Sequence, residues 1–181
     1  GNLLKWFESY LSNRTQRCMI ENEFSEWTNV TSGVPQGSIL GPLMFLLYIN
    51  DMPNVANHST IALFADDSKC FKQISCHEDS VNLQNDLNNL HEWSMSWSMS
   101  FNPDKCKILS ITRSRCPITF PYMMNGVLIE HVGIFKDLGI FVDSTLSFNS
   151  HIQSIVSKSF KVCGMIKRAV GFNAPVSVKL Q

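Results

Sequence analysis

The stretch IALFADDSKCF, residues 61–71, constrains the fold more than any other part of the chain. Two adjacent carboxylates, Asp66 and Asp67, stand between apolar, β-prone runs. Like charges side by side raise the cost of folding unless water, a cation or a basic group is close. Turn-prone residues between such runs predict two short strands that reverse at the aspartates, with both charges at the tip of a hairpin. A solvated turn meets that description, because Asp is common in reversals. A tip that holds cations is the alternative, and the two aspartates alone favour the solvated turn.

Around this hairpin the pattern alternates between helix and strand. Leu3-Leu4, Trp6-Phe7 and Tyr10-Leu11 recur at helical spacing until Ser12-Asn13, so residues 2–11 read as the end of a helix. Residues 17–30 read as a strand pair turning around Glu21-Asn22-Glu23. TSGVPQGSILGP, residues 31–42, sets two glycines around Pro35-Gln36 and a third before Pro42, a loop with free backbone groups and little bulk. MFLLYIN then runs apolar for almost two turns, with Ser38 or Gly41-Pro42 as its start, and predicts a buried helix that Met52-Pro53 ends. From Asp79 to Met99, Leu83, Leu87, Leu90, Trp93 and Trp97 fall three or four apart, which predicts an amphipathic helix with both tryptophans in the core. KCKILSI and KDLGIFVD each read as one strand, and Asn125-Gly126 between ITFPYMM and VLIEHV marks a two-residue hairpin. Ile152, Ile155-Val156, Phe160, Cys163 and Ile166 repeat at helical period through a Lys-rich segment that ends near Gly171.

With 181 residues the chain accommodates one domain with a core, or one domain and part of another. Its 44% hydrophobic and 17% charged residues exclude wholesale disorder. No apolar run approaches the roughly 18 residues of a membrane span, and the first residues have no secretory-signal pattern. With no initiating Met, the sequence is expected to start inside a longer protein. The six cysteines form no C-x-x-C pair, so reduced structural thiols are expected; Cys70, Cys76-His77 and His91 are the alternative, a metal cluster. The net charge of zero hides an asymmetry: residues 18–103 carry two basic against ten acidic residues, residues 104–181 ten against four. An acidic middle beside a cationic end suits a protein that holds divalent cations in one part and follows a phosphate backbone with another. An ordinary mixed surface gives the same counts.

SGVPQGSILGPLMFLLYIND followed by LFADDSKCF resembles, in this order, the reverse transcriptases of non-LTR (LINE-type) retrotransposons, especially jockey-like elements. SYLSNRTQR before the loop, then LQNDLNNLHEWSMSW, FNPDKCKIL and KDLGIFVDSTLSFNSHI after the hairpin, extend the similarity over nearly the whole chain. The resemblance implies an α+β fold, the right-hand palm of polymerases, with a partial palm over residues 1–147 and the start of a thumb over 148–181. It implies that Asp66 and Asp67 are catalytic and bind metal, helping to hold two Mg2+ ions. Gly33, Pro35, Gln36 and Gly37 would touch the incoming deoxynucleoside triphosphate and the template, and Lys105 would donate a proton to pyrophosphate or act as counter-charge. Lys158, Lys161, Lys167 and Arg168 would follow the nucleic-acid backbone. The implied partners are an RNA template, a DNA primer and deoxynucleoside triphosphates, with no membrane, in the cytoplasm and nucleus. Phe64 reads as packing and Asp51 as a helix-end residue.

The resemblance implies that the family's palm also uses an aspartate on an earlier strand, and that strand and the fingers are expected upstream of Gly1 in a longer protein. With two of the three carboxylates, the chain is expected not to polymerise alone, and an open sheet edge is expected to lower its solubility. Two readings stand: a piece of a working RNA-directed DNA polymerase, or an inactive retrotransposon relic that binds nucleic acid weakly.

Overall fold

A computed structural model describes residues 1–171 of the chain. It divides into two compact units, Gly1–Phe71 and the part from Lys72 onward.

The first unit begins with helix α1 (Asn2–Leu11), which stops where the Ser12 N–H closes on the Glu8 carbonyl and Asn13 turns left-handed, φ 54°. Strand β1 (Thr15–Gln16), strand β2 (Met19–Ile20), strand β3 (Glu23–Phe24) and strand β4 (Thr28–Asn29) then form two nested antiparallel pairs, β1 with β4 and β2 with β3. Glu21 and Asn22 join the inner pair at φ 47° and 72°, the positive values a type I′ reversal requires. Helix α2 (Leu40–Ile49) follows the glycine loop, and a 3-10 turn (Met52–Val55) takes Pro53 near its start. Strand β5 (Thr60–Phe64) and strand β6 (Asp67–Phe71) close the unit as an antiparallel hairpin. Ile49 and Met52 are its buried apolar residues.

One expectation fails here. The helix after the loop is not buried: of its ten residues only Gly41 and Ile49 are, and Leu47 is 71% exposed. A helix that is apolar all round needs neighbours on every side, and α2 is enclosed only near its two ends.

The second unit is organised by helix α3 (His77–Ser96). The Asp79 carboxylate accepts the Ser75 and Cys76 N–H groups at 2.8 and 3.2 Å and pairs with Lys72 at 3.4 Å, bonds that hold its pKa below the usual carboxylate range. Leu87, Leu90 and Trp93 are buried on α3, as are Tyr122, Met124 and Ile129 beyond it. Trp97 departs from the expected core stripe: it is the cap residue after the last turn, 39% exposed and tilted against Trp93. Strand β7 (Lys107–Leu109) comes next, then strand β8 (Met123–Met124) and strand β9 (Val127–Leu128), which reverse through Asn125 and Gly126, both at positive φ. Gln84 clamps this hairpin onto α3, its side-chain amide donating to the Met123 carbonyl and accepting the Met123 N–H. Strand β10 (Glu130–Val132) runs parallel to β7. KDLGIFVD lies across two strands and not one: strand β11 (Ile134–Asp137) turns at Leu138-Gly139, φ 45° and 90°, into strand β12 (Ile140–Asp143). Leu-Gly is a weak turn signal, which is why the alternating apolar residues read as continuous. Helix α4 (Asn149–Val170) ends at Gly171 with φ 71°.

The architecture is thus mixed helix and strand with small, mainly antiparallel sheets, six ladders of two strands each among the described residues. No described helix is long and apolar enough to cross a membrane. None of the six cysteines is in a disulfide, in line with the reduced thiols expected; Cys70 and Cys106 are half-buried, whereas Cys18, Cys76, Cys116 and Cys163 are exposed.

Asp143 sets the start of α4. Its carboxylate accepts from Thr145 (N–H at 2.9 Å, hydroxyl at 2.7 Å), Ser147 (N–H at 3.1 Å, hydroxyl at 2.6 Å) and the Phe148 N–H at 3.2 Å. The two hydroxyls and the backbone N–H groups hold its pKa far below the usual carboxylate range. A group with a depressed folded-state pKa stabilises above its unfolded pKa and loses that contribution as pH falls. Asp143→Asn is therefore expected to melt lower than the parent chain at neutral pH, with the gap closing below about pH 4; a gap that is constant with pH in thermal melts by circular dichroism contradicts this.

Candidate functional site

The β5–β6 hairpin pairs Phe64 with Asp67 across a loop of two residues, Ala65 and Asp66. Ala65 takes φ 51°, a left-handed conformation that costs a non-glycine residue about 1–2 kcal/mol. The loop lifts both carboxylates to the exposed tip, while Ile61, Leu63, Lys69 and Cys70 are half-buried along the strands. The Ser59 hydroxyl and the Cys70 thiol meet at 3.0 Å near its base. No ion pair or side-chain hydrogen bond among the described residues engages Asp66 or Asp67. Nor do three or more His, Cys, Asp or Glu side chains gather anywhere among them. The tip is thus a pair of unshielded oxygen donors. Phe64 is exposed beside it, not packed as expected.

The glycine loop lies in the same unit. Pro35 accepts the Ser38 N–H at 3.2 Å around Gln36 and Gly37, and Gly37 at φ 80° occupies the position that a type II turn gives to glycine. Gln36 and Gly37 are exposed, with Val34 and Pro35 half-buried behind them. The Ser38 hydroxyl accepts the Gly41 N–H at 2.9 Å and so caps α2, whose Pro42 lacks an N–H that the first turn would leave unpaired anyway. A Cβ on Gly41 would lie 2.9 Å from that hydroxyl and 3.2 Å from the Pro35 carbonyl, so the helix start and the loop need glycine there.

Arg14, which sequence reasoning passed over, binds this loop at its other end. The guanidinium donates to the Leu11 carbonyl at 3.1 Å, to the Ser32 carbonyl at 3.4 Å and to the Gly33 carbonyl. A basic residue directly after a helix end was the available signal, since the last carbonyls of a helix lack partners and attract cations.

The remaining residues that the resemblance puts at the site lie in the second unit. Lys105 is exposed, in a turn built on Asn102, whose side chain accepts the Asp104 N–H at 3.0 Å and whose carbonyl accepts the Lys105 N–H at 3.1 Å. Lys158, Lys161, Lys167 and Arg168 are exposed on α4. At about 100° per residue, Lys158, Lys161 and Arg168 share a face, whereas Lys167 falls among Val156, Phe160 and Cys163. The helix thus gathers three of the four.

Residues 2–166 match the profile of the family described as reverse transcriptase (RNA-dependent DNA polymerase). Among curated proteins, the chain is 33% identical over 136 residues to the RNA-directed DNA polymerase from mobile element jockey of Drosophila funebris, covering 70% of this chain and 14% of that protein. It is 32% identical over 154 residues to the probable RNA-directed DNA polymerase from transposon X-element of Drosophila melanogaster, covering 82% of this chain and 17% of that protein. The match to the probable polymerase from transposon BS of the same fly is 29% over 163 residues, 85% of this chain and 18% of that protein. The chain therefore spans less than a fifth of the length of these relatives. No solved structure matches it.

The cap shared by Ser38 and Gly41 can be tested by double mutation. Gly41→Ala and Ser38→Ala are each expected to cost about 1 kcal/mol in urea denaturation, the worth of a helix cap. The double variant should cost little more than either alone, whereas fully additive losses would show that the two changes act on separate interactions.

Proposed function

The chain belongs to the reverse transcriptase (RNA-dependent DNA polymerase) family, and from that premise we propose that it is a piece of an RNA-directed DNA polymerase of a non-LTR retrotransposon. In the whole polypeptide it extends a DNA primer on an RNA template from deoxynucleoside triphosphates, in the cytoplasm and nucleus. The observation that carries the reading is the hairpin tip: inside a family match over residues 2–166, the Asp66 and Asp67 carboxylates stand exposed with no side-chain hydrogen bond or ion pair among the described residues. The chain forms a partial palm over residues 1–147 and the start of the thumb over 148–181; residues 172–181 of the latter lie outside the described part.

Two oxygen donors without a protein counter-charge suit magnesium, which is commonly held by one or two carboxylates together with substrate phosphates. When bound at Asp66 and Asp67, two such ions would supply Lewis-acid stabilisation of the primer 3′-hydroxyl and of the charge that develops on the triphosphate. The chain's own residues have separate tasks. Gln36 has a donor and an acceptor on an exposed type II turn, suited to the incoming nucleotide and the template edge. Gly33 and Gly37 keep side chains out of the way of close backbone approach, and Pro35 stiffens the turn between them. Lys105 offers an ammonium to the departing pyrophosphate, as proton donor or as counter-charge. The Lys158, Lys161 and Arg168 face of α4 is suited to phosphates, with Lys167 contributing from the helix's other side.

Primer extension on an RNA template with magnesium tests the reading. The comparison is between this chain, a version extended upstream through the family's first catalytic strand, and that longer version with Asp66→Asn. The longer protein is expected to be active, its Asp66→Asn variant to lose at least about a thousandfold in kcat, and the present chain to give no product. Absence of extension by the longer protein favours the relic reading.

A further inference from the structure

Arg14 stands where three parts of the first unit meet. Its backbone is fixed, because its carbonyl accepts the Val30 N–H at 2.8 Å at the end of the β1–β4 ladder. Its side chain reaches the last turn of α1 at the Leu11 carbonyl and the beginning of the glycine loop at the Ser32 and Gly33 carbonyls. On the loop's far side, the Ser38 cap ties it to α2. Between these anchors Gln36 and Gly37 are exposed.

We propose that Arg14 is a positioning residue for the loop Gly33–Gly37: its planar fork holds the two carbonyls at the loop's start and so fixes where Gln36 and the Gly37 backbone stand. This rests on the reading that the loop meets nucleotide and template. The physical argument has two parts. A loop that must present groups to a ligand loses affinity through the entropy of ordering it, and anchoring both ends removes most of that loss before the ligand arrives. The anchor must also be a guanidinium. Its donors point in set directions and are all N–H, matching three carbonyl acceptors, whereas the ammonium of lysine is a point donor on a flexible stem. Arg14 therefore acts through main-chain atoms and has no need to touch the substrate.

The test uses the chain with 15N-labelled glycine, because the glycines report from both units. In Arg14→Ala the amide resonances of Gly33 and Gly37 are expected to move, while those of Gly126 and Gly139 in the second unit hold still. Arg14→Lys should behave like Arg14→Ala, and millimolar methylguanidinium should return the Gly33 and Gly37 resonances of Arg14→Ala toward the parent positions. In the upstream-extended protein, Arg14→Ala should raise KM for deoxynucleoside triphosphate about tenfold with kcat within about twofold. Three results overturn the proposal: unmoved Gly33 and Gly37, equal movement of glycines in both units, or an Arg14→Lys spectrum matching the parent. A fall in kcat at unchanged KM overturns it as well. The spectra need no polymerase activity, so failure of the polymerase reading and failure of this one are told apart.

Discussion

Strands in this chain depend on tight reversals through left-handed backbone. Glu21-Asn22, Ala65-Asp66, Asn125-Gly126 and Leu138-Gly139 each join two short strands through two residues, and in each pair the first residue has positive φ. Turns of this hand match the right-handed twist of the strands they connect, so a hairpin of few residues closes without splaying. Only two of the eight turn residues are glycine, so part of the chain accepts strain to make its turns. At Ala65 that strain sits beside Asp66 and Asp67, where it keeps the loop at two residues and the carboxylates at the extreme end of the hairpin. A longer loop would let the aspartates move relative to each other, which the proposed metal-holding role would not tolerate.

The glycine loop is governed by a different economy of atoms. At its end, Gly41 allows the α2 backbone to come within reach of the Ser38 hydroxyl and the Pro35 carbonyl. At its start, Arg14 fills the space with donors. The same loop is therefore held once by the absence of a side chain and once by the largest cationic one. The exposed turn between carries the groups that the family reading directs at nucleotide and template.

α4 shows how one helix divides two kinds of chemistry. Asp143 gathers five hydrogen bonds to form the turn before it, and beyond that turn the helix shows apolar residues on one side and Lys158, Lys161 and Arg168 on the other. None of its residues is buried, and Phe160 is 74% exposed. Like α2, it carries more apolar surface than its own unit covers.

By itself the sequence determined the local elements whose cause is local. Helical spacing located α1, α3 and α4, Asn125-Gly126 located its hairpin, and the aspartates between apolar runs located theirs, because periodicity and turn chemistry are written in neighbouring residues. The order of motifs was enough for the family. What it left open was decided by contacts between residues distant in the chain. The reversal at Leu138-Gly139, the parallel pairing of β7 with β10 and the exposure of Trp97 each depend on which partner is in reach, and no local pattern encodes that. α2 read as buried because its composition is apolar, yet burial is a property of the neighbours and not of the helix. The helix end before Arg14 signalled its contact with Leu11, but its hold on the glycine loop stayed invisible for the same reason: the Ser32 and Gly33 carbonyls lie eighteen and nineteen residues away, joined to it only when the chain folds back.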